Sequence, residues 1–263
     1  MEGCFFKMRI QFIIAGWHMN QDSLIEGLIN LKNNNEFINV FWSCHKKPTE
    51  IIKQNFKYKE FFNGAEEMGA YQQAVDYLDL DGDTICFFMH DDMIIKDWGF
   101  IEKCISELNN GFKLVGNGYN PGFKAYNPFH KIDVGISEEF DGKCGIDYVK
   151  DENKHIFEGT LEMNMARVSF MCMKYDTVIE IGGFEPKQEA YISPMVNENG
   201  KPYYRGCEHL ANTKTGGLSV FGNLFPNLTV YKVNKIFGKE SITWLDSSYR
   251  DSKYIHECER GEQ

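Results

Sequence analysis

The segment ICFFMHDDM (85–93) ends an uninterrupted apolar run with three consecutive polar side chains, His90, Asp91 and Asp92. Adjacent ionised carboxylates repel one another, and a cation between them offsets that repulsion. Hard divalent ions such as Mn2+ or Mg2+ take oxygen ligands and share them with substrate phosphates, so Asp91 and Asp92 form a candidate metal pair. A solvated acidic turn, with Asp92 or Asp97 capping the next helix, accounts for the same residues without chemistry. Glu208, in YYRGCEHL, is a carboxylate at an expected helix start. Such a glutamate complements the helix dipole. His256 is a further metal-ligand candidate, although a lone histidine in a polar tail is more often exposed and idle.

These residues need elements to position them. Arg9 to Ile14 is a short β-branched apolar run bounded by Ala15-Gly16, which predicts a buried first strand. Ser23 with Glu26 has the form of a capping box, and Leu24, Ile25, Leu28 and Leu31 share one helical face. INVFWS (38–43) reads as a second strand, Pro48-Thr49-Glu50 as the opening of a short helix, and YKEFF as a third strand. Met68, Tyr71, Ala74, Val75 and Leu78 recur at helical spacing, and TICFFM (84–89) is a fully apolar strand. A helix from Trp98 to Leu108 meets Asn109-Asn110-Gly111, a glycine stop. Such alternation predicts a parallel sheet covered on both faces. In open sheets of this kind ligands bind beyond the carboxyl ends of the strands, where His90, Asp91 and Asp92 should lie.

The second half is organised differently. Residues 117–158 are rich in Gly, Asn, Pro and aromatics, and predict long loops. VSFMCM (168–173) reads as a strand, followed by a short helix ending at Gly182-Gly183-Phe184. A helix is expected from Cys207, and LTVYKV near residue 230 reads as strand-like. There is no internal repeat or linker, so one domain spanning 1–263 is expected, with halves 1–116 and 117–263.

The chain carries a formal net charge of −10 and a pI near 5.2. That acidity repels phosphate backbones and argues against nucleic acid as a partner. An anionic ligand would need a metal or local basic groups, for which Arg205, Lys214 and Arg250 are weak candidates. Eight cysteines without a CxxC pair, several inside apolar runs, fit reduced buried thiols and a cytoplasmic location. No stretch is long and apolar enough for a transmembrane segment, which leaves peripheral membrane association open. Asn227-Leu-Thr matches a glycosylation sequon and is read as chance.

The order of these pieces resembles the GT-A fold glycosyltransferases, the family 2-like group in particular. The segment FFMHDDMIIKDW matches that family's acidic metal motif after an apolar strand. NGAEEMGAYQQAVDYL (63–78) matches the preceding helix, and VSFMCMKYDTVIEIGGFE (168–185) the later strand, helix and Gly-Gly-Phe-acidic element. The resemblance spans roughly Arg9 to Leu210. It implies an α/β, Rossmann-like fold with a mostly parallel central sheet flanked by helices and a loop-rich acceptor half. It also implies metal-dependent transfer of a sugar, of hexosyl or deoxyhexosyl class, from a nucleotide-sugar donor to a glycan or glycolipid acceptor, with inversion expected. Asp92 would hold the metal, with Asp91 assisting it or contacting the ribose. Ala15, Gly16 and Trp17 would pack against the nucleotide, Ser43 would lie near the base, and Gly69, Gln73 and His90 would line the donor site. Glu208 would be the general base, with Glu185 and Glu189 weaker matches. Ser43 stands where the family often has a carboxylate, and His90 where it often has a first aspartate. The Ser43 departure leaves the base preference open, and the His90 departure leaves two carboxylates, enough for one ion.

Three other readings compete. His90-Asp91 matches the dyad of His-Asp phosphohydrolases literally, but those are all-helical. Sugar-nucleotide pyrophosphorylases and related nucleotidyltransferases share the general fold but have a glycine- and arginine-rich first loop, unlike AGWHMNQ. A catalytically silent GT-A binding module would keep the architecture without transfer. The aromatics Tyr119, Phe123, Tyr126 and Phe129 are expected to shape an acceptor site.

Overall fold

The computed structural model describes residues 8–61, 66–118, 151–154, 164, 166–184, 195–196, 202–203, 224–247 and 251–258. Its centre is a seven-stranded sheet. The strands are β1 (Ile10–Gly16), β2 (Ile38–Cys44), β3 (Lys57–Glu60), β4 (Ile85–His90), β6 (Leu114–Gly118), β7 (Phe170–Lys174) and β10 (Ile242–Asp246), in the order β10-β6-β7-β4-β1-β2-β3. β1 pairs in parallel with β2 and β4, β2 with β3, and β6 with β10. β7 alone in this sheet runs the other way, antiparallel to both β4 and β6. Among the described residues two short antiparallel ladders lie outside the sheet. One joins β5 (Met93–Ile95) to β11 (Ile255–Glu257), the other β8 (Met195–Val196) to β9 (Pro202–Tyr203).

Helices α1 (Asp22–Asn34), α2 (Glu50–Asn55) and α4 (Phe100–Asn109) bury Leu24, Ile25, Leu28, Ile52, Phe100, Ile101, Cys104, Ile105 and Leu108 against one face of the sheet. On that face they meet Phe12, Ile14, Val40, Trp42, Phe87, Met89 and Phe170. The opposite face, with Ile13, Phe41, Cys86, Phe88, Met171 and Met173, is covered by α3 (Glu66–Tyr77), α6 (Tyr175–Glu180) and α7 (Leu224–Phe237). A further one-turn helix, α5, covers Asp151–Lys154. Burial on both faces is why β4 reads as a continuous apolar run rather than an alternating one. Cys44, Cys86, Cys104 and Cys172 are buried thiols without a disulfide, and Cys258 is a half-buried one.

Several sequence expectations need correction. The capping box does not form: α1 begins at Asp22 after Gln21, without a side-chain cap. The Gln21 carbonyl already accepts from the Ile25 N–H at 3.1 Å, so the chain is helical before Ser23. LTVYKV is not a strand but the middle of α7. Val230, Val233, Asn234 and partly buried Phe237 recur at the helical spacing, and a six-residue β-branched window is too short to reveal that period. Pro48 precedes the Thr49 cap of α2 instead of entering the first turn. The strand expected at 168–173 starts at Phe170 and reverses direction. β10 lies in what reads as a polar tail, yet it closes the sheet beside β6. The expected helix at Cys207 lies outside the described residues, as do most of the loops expected at 117–158 and the aromatics Tyr119, Phe123, Tyr126 and Phe129. Among the described residues no helix is long and apolar enough to cross a membrane.

Phe87 anchors the sheet beneath the candidate site. It stacks on Phe12 at 4.7 Å between ring centroids, meets Phe100 edge-on at 5.6 Å, and is fully buried. Phe87→Ala is expected to cost about 3–5 kcal/mol in chemical denaturation, as a large-to-small core change. A loss below about 1 kcal/mol would show that this aromatic stack does not hold the sheet.

Candidate functional site

β4 has β1 on one side and β7 on the other, while the chain from β1 continues outward through β2 and β3. The strand order therefore reverses between β1 and β4, and loops leaving their carboxyl ends diverge to opposite sides. This opens a crevice of the kind in which α/β sheets bind ligands. The β1–α1 loop, carrying Trp17, and the turn His90-Asp91-Asp92 both start at this crevice. The literal His-Asp dyad thus ends a strand, not a helix.

Asp91 is 2% exposed. Its Oδ2 accepts backbone N–H bonds from Trp17, His18 and Met19, each at 2.6 Å. Three successive N–H groups converge on one oxygen because Met19 takes a left-handed conformation, φ 55°. This forms a backbone nest, a concavity suited to an anion. The protein's own carboxylate fills it. Burial raises the Asp91 pKa above the ordinary carboxylate value; the Met19 and Trp17 N–H bonds oppose that rise, and Asp92 adds to it. Asp91 is thus committed to holding the first loop against the end of β4.

Asp92 has a different environment. Its side chain is 26% exposed, and Oδ1 lies 3.9 Å from His90 Nδ1. Among the described residues no three His, Cys, Asp or Glu side chains gather into a metal group. Asp92 still fits a hard divalent ion that takes one or two carboxylates and completes its shell with water and substrate phosphates. It is the more accessible carboxylate of the pair.

Ala15 faces Ser43 on one side and His90 on the other, in register across three adjacent strands. Alternation places all three on the α3 face, with Ile13, Phe41 and Phe88. Ser43 Oγ and His90 Nε2 are buried without a hydrogen-bond partner among the described residues. α3 returns antiparallel to the strands, so its first turns, with buried Gly69 and half-buried Gln73, lie over these carboxyl ends. Gln73 Oε1 lies 3.3 Å from His45 Nε2.

His45 continues the patch toward Trp17. The two rings meet edge-on at 5.9 Å, and Lys46 Nζ sits 5.0 Å over the Trp17 ring. Gly16 lies at the root of this loop, where an added Cβ would come within 3.3 Å of Trp42 and 3.4 Å of Cys44 and Met19. Ala15, Gly16, Trp17, Ser43, Gly69, Gln73, His90, Asp91 and Asp92 thus all fall at one end of the sheet. Sequence reading overlooked His45 and Lys46. The signal that picks out His90, polar residues directly after an apolar strand, applies to them equally.

Other candidates lie elsewhere. His256 Nδ1 faces Asp251 Oδ1 at 3.2 Å on the surface, and Asp251 also pairs with Lys96. Asp97 Oδ1 accepts from the Gly99 N–H at 2.8 Å and shapes the entry to α4. Glu208, Glu185, Glu189, Arg205, Lys214 and Arg250 lie outside the described residues. In the sequon, Thr229 is buried with its hydroxyl 3.6 Å from Met68 Sδ. Compared with protein-family models and with curated proteins, the chain matches none of them.

Asp91→Ala would leave three N–H groups in a buried nest without an acceptor. It is expected to destabilise the protein by about 3 kcal/mol or more, since each buried donor left unmade costs about 1–3 kcal/mol. Asp91→Asn keeps one acceptor oxygen and should cost less than half as much. Equal stability of the Ala variant and wild type in denaturant titration would show that the nest does not hold the loop.

Proposed function

We propose that the protein is a metal-dependent glycosyltransferase of the GT-A type, acting on a nucleotide-diphosphate sugar. The observation that carries this reading is a pair of buried polar atoms without a hydrogen-bond partner among the described residues, Ser43 Oγ and His90 Nε2, on either side of Ala15 beside half-buried Asp92. Buried polar atoms left unmade cost about 1–3 kcal/mol each, and a bound polar ligand repays that cost. The crevice at the strand-order reversal, the Trp17 ring and the polar row together suit a ligand with an aromatic base, a ribose and phosphates.

In this reading Trp17, with His45 and Lys46 beside it, receives the base, and Ser43, Gln73 and His90 receive the nucleoside. Asp92 holds Mn2+ or Mg2+, which when bound supplies Lewis-acid stabilisation of charge on the departing diphosphate. Asp91 keeps the loop bearing Trp17 in position. By the family resemblance Glu208 removes the proton from the acceptor hydroxyl of a glycan or glycolipid, as an inverting transfer requires.

Turnover of a panel of nucleotide sugars, with Mn2+, Mg2+ or excess chelator, tests the reading. Activity should vanish in chelator and in Asp92→Asn, with the fold unchanged because Asp92 contributes little to the core. Full activity in excess chelator would sink metal dependence. No turnover or binding across the panel would sink the transferase itself and favour another ligand for the crevice.

Glu208→Gln preserves shape but cannot take a proton. Transfer should fall about 10²–10⁴-fold while nucleoside diphosphate affinity stays unchanged. Normal transfer rates in this variant would remove Glu208 from the mechanism and turn attention to Glu185 and Glu189.

A further inference from the structure

At the carboxyl edge of the sheet a buried carboxylate plays no part in the scheme above. Glu257, on β11, is 4% exposed. Ser169 Oγ donates to its Oε2 at 2.7 Å and Asn117 Nδ2 to its Oε1 at 3.0 Å. The Arg167 Nε lies 2.5 Å from Oε2, and the Arg167 side chain stays 28% exposed.

The backbone beside Arg167 is pinned on two sides. The Ser169 carbonyl accepts from the His90 N–H at 2.9 Å, and the Val168 carbonyl accepts from the Tyr71 hydroxyl at 3.1 Å. In the β4–β7 ladder Met89 stands opposite Phe170. Extending that antiparallel count past the strand ends brings Arg167 level with Asp92. The Arg167 backbone is therefore held near the carboxyl end of β4, with a partly exposed side chain, in a chain whose net charge is −10. An acidic protein that binds an anion needs a local cation, and arginine's planar fork matches phosphate oxygens.

We propose that Arg167 is an anion-binding side chain of the crevice, aimed by Glu257, and that it takes the diphosphate oxygens of the ligand opposite Asp92. This rests on the nucleotide-sugar reading and deepens it. Glu257 is a positioning residue: its buried carboxylate fixes one edge of the guanidinium and ties β11 to the end of the sheet.

Inorganic pyrophosphate, which carries the diphosphate without a base, is the probe, titrated calorimetrically into the full chain with Mn2+. Arg167→Gln should weaken its binding about 10- to 100-fold, the range for losing a charge-assisted hydrogen bond. Arg167→Lys should fall between that variant and wild type. Glu257→Gln should weaken pyrophosphate binding less than Arg167→Gln does, and should leave affinity for an uncharged nucleoside unchanged. Thermal melting of each variant separates binding from folding. If Arg167→Gln and Arg167→Lys bind pyrophosphate as wild type does, the pair is only a tether for β11 and the proposal fails. Wild-type protein that binds nucleotide sugars but not pyrophosphate also overturns it. Failure to bind either one overturns the nucleotide-sugar reading together with this inference.

Discussion

The contact on which the site depends is the Asp91 carboxylate in the nest of Trp17, His18 and Met19 N–H groups. Burying an ionised carboxylate costs several kcal/mol, on the order of the effective penalty for a single ion in a protein interior. Three N–H bonds to a charged acceptor, at about 1.5–3 kcal/mol each, offset that penalty. The arrangement ties the end of β4 to the loop after β1, across the line where the strand order reverses. It also decides which groups can meet a ligand. The N–H groups that could have cradled an anion are already taken by the protein's own carboxylate.

Packing beneath the crevice keeps these ends in place. Tyr71 of α3 meets Phe88 at 5.3 Å and Phe184 at 5.6 Å between ring centroids. Its hydroxyl pKa is raised well above the ordinary tyrosine value, by burial first and then by Glu67, Asp92, Asp91 and Glu257. It stays protonated and can donate to Val168. Phe184 reaches this position because Gly182 and Gly183 take φ 75° and 77°, successive left-handed conformations that side chains disfavour. The Gln72 amide oxygen then accepts from the Phe184 N–H at 2.8 Å and fastens the turn to α3. The Gly-Gly-Phe element thus buttresses the helix that lies over Ser43, Ala15 and His90.

The reversal of β7 has a consequence for the second half of the chain. An antiparallel strand beside β4 starts where β4 ends, so the segment entering β7 is delivered to the crevice instead of the opposite edge. β10 and β11 extend the same logic. One closes the sheet beside β6, and the other lies along β5, directly after Asp92. Sequence-distant stretches therefore share one end of the sheet with the first loop.

Local sequence determined β1 to β4 and most helices of the first 118 residues, but not β5 or β6. Uninterrupted apolar runs such as ICFFM can be buried only on both faces, and helical spacing in α3 and α4 leaves little choice of period. The stop of α4 at Gly111, φ 102°, was equally legible. So was the position of His90, Asp91 and Asp92, because polar residues that follow an apolar strand must fall at its carboxyl end. Sequence could not divide the labour between Asp91 and Asp92, adjacent residues of one type. That depended on which carboxylate met the loop after β1, a contact across more than seventy residues. Nor could it reveal the direction of β7, the helical state of LTVYKV, or the burial of Glu257 in what reads as a polar tail. A strand's direction follows from how its connections cross the sheet. A short β-branched segment takes its state from the face it packs on, and a carboxylate stays buried only where folding brings donors to it.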